Sequence, residues 1–157
     1  MAKVNPIPEN YPRVTPYLVV EGAAEAIDFY TRVFGAKEQM RMPAPGGKIG
    51  HAEVKIGDSV VMLADAVPEM GHKSPRALGG TPISLLLYVE DADATVAKAA
   101  ENGGKVVRPV ENQFYGDRMG GVEDPFGHLW YVATHVEDVS PEEMKRRMES
   151  MAPAEAK

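Results

Sequence analysis

The chain repeats one pattern at an offset of 69 residues, and this repeat constrains its fold more than any other feature of its 157 residues. Val20-Glu21 recurs as Val89-Glu90, Ala23 falls on Ala92, Ile27 on Val96 and Gly35 on Gly104. A strand, a helix start and a helix stop therefore coincide without a gap, as in two copies of one supersecondary unit. Each copy reads βαβββ. In the first, Val14 to Val20 is rich in strand formers, and Ala23, Ala26, Ile27, Tyr30, Val33 and Phe34 form one face of a helix that stops at Gly35. Strands follow over Lys37 to Met42, Ile49 to Ile56 and Ser59 to Ala64, the last two joined across Gly57-Asp58. In the second copy the strands are Ile83 to Val89, Lys105 to Arg108, Arg118 to Glu123 and Leu129 to Thr134, with a helix over Ala92 to Asn102.

The expected organisation is α+β and one domain over residues 1–157, with modules at 12–67 and 81–136. An extended arm precedes them, because Pro6, Pro8 and Pro12 remove backbone donors. A helix over 140–151 follows, signalled by the capping sequence Ser140-Pro141-Glu142-Glu143, and Met144, Met148 and Met151 give it an apolar stripe. Residues 152–157 are expected to fray.

Composition narrows the chemistry. The chain has no cysteine, so thiol nucleophiles, thiolate zinc sites and disulfides are excluded. A net charge of -6 disfavours nucleic acid and anionic membranes, which need clustered Lys and Arg. With no apolar stretch long enough for a signal peptide or a bilayer span, a cytoplasmic location is expected. Nucleophile elbows, phosphate loops and His-Glu-x-x-His are all missing.

Three segments resemble a known family: VTPYLVVEGAAEAIDFYTRVFGAKE, ISLLLYVEDADATVAKAAENGGKVV and VEDPFGHLWYVATH. They are similar to the vicinal oxygen chelate superfamily of glyoxalases, bleomycin-resistance proteins and extradiol dioxygenases. The most specific pieces are Ile27 to Tyr30 followed by Phe34-Gly35, and Glu123 to Gly127. The resemblance implies paired βαβββ modules forming a U-shaped mixed sheet around a cavity, and commonly a homodimer. It also implies where a divalent ion would sit in metal-dependent members: on the first and last strands of each module, here Thr15, Met62, Ser84 and Tyr131. Two neutral hydroxyls, a soft thioether and a phenol are poor ligands for a hard divalent ion, so neither a glyoxalase-type metal nor any other cofactor is expected. A divalent metal, if one binds, falls to His51 and Glu53.

Strand parity supplies the candidate cavity residues. A two-residue turn at Gly57-Asp58 pairs Glu53 with Met62 and His51 with Ala64, which sets His51 and Glu53 on the side of Met62, the cavity face that the resemblance implies, as an acid-base pair. Thr15, Tyr17, Met62, Ser84, Leu86, Tyr88 and Tyr131 share that face as ligand-binding residues. The same 69-residue offset applied to Ile49 brings Arg118 to it as a carboxylate or phosphate clamp. Val14, Leu18, Val20, Ile83, Leu85, Leu87, Trp130 and Val132 are expected to pack under the helices. His128 reads as a structural turn residue, His72 as part of a solvated loop and His135 as a rim residue. The leading expectation is a small-molecule-binding protein like the bleomycin-resistance branch. The alternative is an enzyme, a lyase, isomerase or dioxygenase, that uses His51 and Glu53 as acid and base or in a nonstandard metal site. A third is an interaction module with a filled cavity.

Overall fold

The computed structural model describes residues 3–151, so the expectation of fraying at 152–157 lies outside the described residues. These residues fall into two units, one within Met1–Pro82 and Pro125–His128, the other within Ile83–Asp124 and Leu129–Lys157. Each contains one four-stranded mixed sheet and a long helix after its first strand, in the α+β βαβββ order that the repeat predicts, and the second unit adds a C-terminal helix.

In the first unit the order is β1 (Tyr17–Val20), α1 (Ala23–Phe34), β2 (Lys37–Ala44), β3 (Lys48–Ile56) and β4 (Ser59–Asp65). The sheet order is β1-β4-β3-β2, with β1 parallel to β4 and the other pairs antiparallel. The Gly57-Asp58 hairpin sets the predicted register: Ile56 opposes Ser59, and Glu53 opposes Met62. Strand β1 starts at Tyr17, three residues later than the β-rich sequence suggests. Pro16 has no N–H to enter a ladder, so Val14 and Thr15 belong to the arm.

Alternation decides which face is covered. Leu18, Val20, Ala52, Val54, Ile56, Val61 and Leu63 are buried on the α1 side, where Phe29, Tyr30 and Phe34 meet edge to face or stacked. Each such large apolar side chain contributes about 1.5–3 kcal/mol on burial. Because Gly22 precedes α1 and has no side chain, Asp65 at the end of β4 caps the helix: its Oδ1 accepts from the Gly22 and Ala23 amides at 2.9 and 3.0 Å. Between the modules, residues 75–78 form a short helix, α2, capped by Ser74. His72 lies just before it and pairs backbone-to-backbone with Val67.

The second unit contains β5 (Ser84–Tyr88), α3 (Ala92–Glu101), β6 (Lys105–Asn112), β7 (Asp117–Glu123), β8 (Leu129–His135) and α4 (Pro141–Met151). Its sheet order, β5-β8-β7-β6, repeats that of the first. The repeat extends to the helix cap: Thr134, the counterpart of Asp65, accepts from the Ala92 amide through Oγ1 at 2.8 Å. Trp130 is buried, as its parity predicts, and its indole donates to Asp124 at 2.9 Å. Ser140 caps α4 by accepting from Glu143 N, and Arg147 ties that helix to Glu137 and to the Phe114 carbonyl. Met148 and Met151 of its stripe are exposed.

One register differs from expectation and moves a candidate residue. Tyr131 opposes Gly121, whereas its first-module counterpart Met62 opposes Glu53. The β7–β8 turn is one residue longer than a strict repeat allows, so β7 follows an offset of 68 and every side chain on it changes face. Arg118 therefore shares a face with Thr134 and Val132, the covered side, and its guanidinium clamps Asp93 in the first turn of α3. It is not on the open face where the uniform offset places it.

Candidate functional site

The open face of the first sheet carries a buried carboxylate on which neutral donors converge. Tyr17, Met62, Glu53 and Met40 form one row across β1, β4, β3 and β2. Glu53 is only 6% exposed, although it lies on the face that α1 does not cover. Its Oε1 faces His51 Nε2 at 3.3 Å, and its Oε2 accepts from the Tyr11 hydroxyl at 2.7 Å. Against an ionised Glu53 the imidazole carries its proton on Nε2, which leaves Nδ1 to accept from the Tyr17 hydroxyl, 2.8 Å away. Tyr17, His51 and Glu53 thus form a continuous chain of proton-bearing groups, with the half-exposed Tyr17 at its solvent end.

Electrostatics follow from this arrangement. Burial pushes the Tyr17 hydroxyl above its ordinary value, and the Glu53 charge adds to the rise. Tyr11 is raised as well, chiefly because its proton is held by Glu53. Beside this chain lies a pocket of about 740 Å³ between the arm and the sheet, lined by Glu9, Tyr11, Gln39, Glu53, Lys55 and Asp58 among others.

Tyr11 is the member of this cluster that sequence reasoning missed. Its signal was faint: one aromatic residue in a proline-rich arm. Thr15, expected as a strand residue, sits in the arm and donates to the Pro12 carbonyl. His128 meets the Val19 carbonyl through Nε2 at 3.0 Å, a contact of turn to strand.

In the second unit the corresponding row is Leu86, Tyr131, Gly121 and Arg108. Gly121 stands where the first unit has Glu53, so the acid-base chain has no counterpart in that row. Ser84, Leu86 and Tyr88 are exposed on the same strand. Tyr88 donates to Asp117 at 2.8 Å, and Asp117 also meets Nδ1 of His135 at 2.8 Å. His135 Nε2 faces Asp138, which makes the ring a bridge between two carboxylates. A pocket of about 280 Å³ is lined by Arg108, Glu111, Met119 and Tyr131.

The donor set does not fit a divalent cation. Thr15, Met62, Ser84 and Tyr131 offer only neutral or soft donors, and His51 Nε2 is directed at Glu53 itself. Among the described residues no group of three or more His, Asp or Glu side chains is arranged to hold an ion. Nor is any helix of the described residues long and apolar enough to cross a membrane.

Comparison with known proteins agrees with this architecture. Residues 12–132 match the model of the Glyoxalase/Bleomycin resistance protein/Dioxygenase superfamily. An uncharacterized protein of Mycobacterium bovis is 46% identical over 142 residues, 88% of this chain and 93% of its own length. A solved Arabidopsis thaliana gene product is 29% identical with a TM-score of 0.64, over 78% of this chain and 98% of that one. A Pseudomonas aeruginosa protein of known structure gives a TM-score of 0.67 at 25% identity, over 80% of this chain and 99% of its own.

Proposed function

Since the chain belongs to the Glyoxalase/Bleomycin resistance protein/Dioxygenase superfamily, we propose that it binds a small organic molecule on the open face of its first sheet, and does so without a divalent metal. The observation that carries this reading is Glu53, a carboxylate held 6% exposed on the uncovered face of a sheet, beside a pocket of about 740 Å³. Burying a carboxylate is costly unless its hydrogen bonds are satisfied, and a purely structural role is better served by an apolar side chain of similar volume. Tyr17, with half its surface exposed and its hydroxyl on His51, supplies an aromatic face and a polar tip for the ligand. Metal-free binding follows from the donor chemistry at Thr15, Met62, Ser84 and Tyr131. Met62 extends the surface between Tyr17 and Glu53, whereas Ser84, Leu86, Tyr88 and Tyr131 offer a second, less polar surface.

The test is a fragment library screened by ligand-observed NMR against the full chain, with every hit repeated in EDTA and on Tyr17→Phe and His51→Ala. Hits that persist in EDTA and weaken in both variants support the reading. Hits that vanish with EDTA, or that ignore both substitutions, overturn it.

The proton chain from Tyr17 through His51 to Glu53 favours a second reading, an enzyme of acid-base type. Tyr17 would take a proton from a bound molecule as its own proton passes to His51 Nδ1, and Glu53 would stabilise the imidazolium. That reading requires turnover that His51→Ala abolishes while binding persists.

A further inference from the structure

We propose that the pocket beneath the N-terminal arm takes a small organic ammonium ion, with Glu53 as its counter-ion and the Tyr11 hydroxyl as the group it displaces. The proposal rests on the reading that the open face of the first sheet binds a small molecule, and it names the class of that molecule.

Both partners of Glu53 are neutral donors when His51 is uncharged. Among the described residues no Lys or Arg forms an ion pair with it, and its one hydrogen-bonded neighbour able to carry a positive charge is His51 at 3.3 Å. Two hydrogen bonds satisfy its oxygens but leave a buried negative charge without a permanent counter-ion, an arrangement that folded proteins seldom keep. The pocket reinforces that charge: Glu9, Glu53 and Asp58 supply three carboxylates against the single ammonium of Lys55. Asn10 and Gln39 add amide groups to the lining. An anion entering here would meet like charge, and a neutral apolar molecule would leave these groups without partners. A protonated amine offers both the charge and the donors.

The arm supplies the gate. Residues 3–16 form no strand, and the other hydrogen bonds of the described arm residues upstream of Pro16 run within the arm: Ile7 N to Asn5, Tyr11 N to the Pro8 carbonyl and Thr15 to the Pro12 carbonyl. Upstream of Pro16, whose carbonyl accepts from the Met62 amide of β4 at 2.9 Å, Tyr11 to Glu53 is therefore the polar tie between the described arm residues and the sheet. An ammonium brings to Glu53 Oε2 the opposite charge that the Tyr11 phenol lacks, so it can exchange for Tyr11 there. Breaking the tie also frees the arm segment that covers the pocket.

The experiment is a titration of the full-length, isotope-labelled chain with benzylamine at neutral pH, where the amine is protonated. Benzyl alcohol and benzoate serve as neutral and anionic probes of the same shape. Benzylamine should shift the amide signals around Tyr11, Gln39 and Glu53, and the other two probes should not. Glu53→Gln should weaken benzylamine by about tenfold or more, the span of a charge-assisted hydrogen bond. Tyr11→Phe should tighten it by about fivefold, because the competing donor is gone. If Glu53→Gln perturbs the fold, Tyr11→Phe still decides, since Tyr11 lies outside both sheets. Equal binding of benzoate, an unchanged affinity in Glu53→Gln, or weaker binding in Tyr11→Phe overturns the proposal. Binding of benzyl alcohol or benzoate alone at this face would remove the ammonium assignment and leave the binding face standing. A fragment library without a hit on the first sheet would remove both.

Discussion

The guanidinium of Arg118 closes on the carboxylate of Asp93 through two bonds, Nε to Oδ2 at 2.6 Å and Nη2 to Oδ1 at 2.9 Å. The pair joins β7 to the first turn of α3 on the covered side of the second sheet. Asp93 holds Arg118 firmly in its charged form, and Arg118 keeps the Asp93 carboxyl below its usual range. Both groups are open to solvent, where such pairs contribute little to stability. Arg118→Ala should therefore leave the affinity for any open-face ligand within about twofold of wild type. Calorimetric titration of wild type and variant with one ligand checks this, and a large loss would mean that Arg118 reaches the open face after all.

Much of the fold was legible because it rests on local signals. Gly35 stops α1, Ser140 caps α4, and the Gly57-Asp58 turn sets the Glu53–Met62 register. Arg118 was misplaced because parity carried across a repeat fails when a single residue enters a turn. Nothing in the local sequence of β7 marks that insertion, since Arg118-Met119-Gly120-Gly121 alternates equally well in either register. The first-module chemistry was partly legible: His51 and Glu53 share a face by simple alternation. Their partner Tyr11 was not, because its contact with Glu53 spans 42 residues and depends on the path of an arm without periodic structure.

Tyr17 should ionise late. Burial is the larger cause of its raised value and the Glu53 charge the smaller, so the two can be separated. The alkaline absorbance titration of wild type minus Tyr17→Phe isolates this hydroxyl, and its midpoint should lie above the ordinary value of about 10. Glu53→Gln removes the charge and keeps the burial, so it should lower the midpoint only part of the way. A full return to the ordinary value would reverse the ranking of the two causes.

His135 should make stability depend on pH. Both its ring nitrogens face carboxylates, Asp138 first and Asp117 second in effect, and these raise its value above the unfolded 6.5. Tyr88 also donates to Asp117, and no cation is bonded to this cluster among the described residues. Because the folded value is the higher one, the folded state binds the proton more tightly. The stabilisation is complete below about pH 6.5 and is lost as pH rises through the folded value. His135→Gln should therefore lower Tm more at about pH 6 than at about pH 9, where both proteins have a neutral side chain. A gap between the two melting curves that does not change with pH would show that the bridge carries no such linkage.

Gly116 should tolerate no side chain. It sits in the turn between β6 and β7 at φ +102, and its carbonyl accepts from the amides of both Val136 and Glu137 at 2.9 and 3.0 Å. A Cβ at this position would fall onto the Glu137 carbonyl oxygen, a backbone atom that cannot swing aside. Gly46, in the turn before β3, has a comparable φ of +77 but nothing within 4 Å of the same added atom. Both Ala variants carry the strain of a left-handed backbone, about 1 kcal/mol, and only Gly116→Ala adds the collision. Denaturant unfolding should place Gly116→Ala about 2–3 kcal/mol below wild type and Gly46→Ala about 1 kcal/mol below. Equal losses would mean that the segment after β8 moves away from the turn at little cost, and that the Val136 and Glu137 amides do not hold it there.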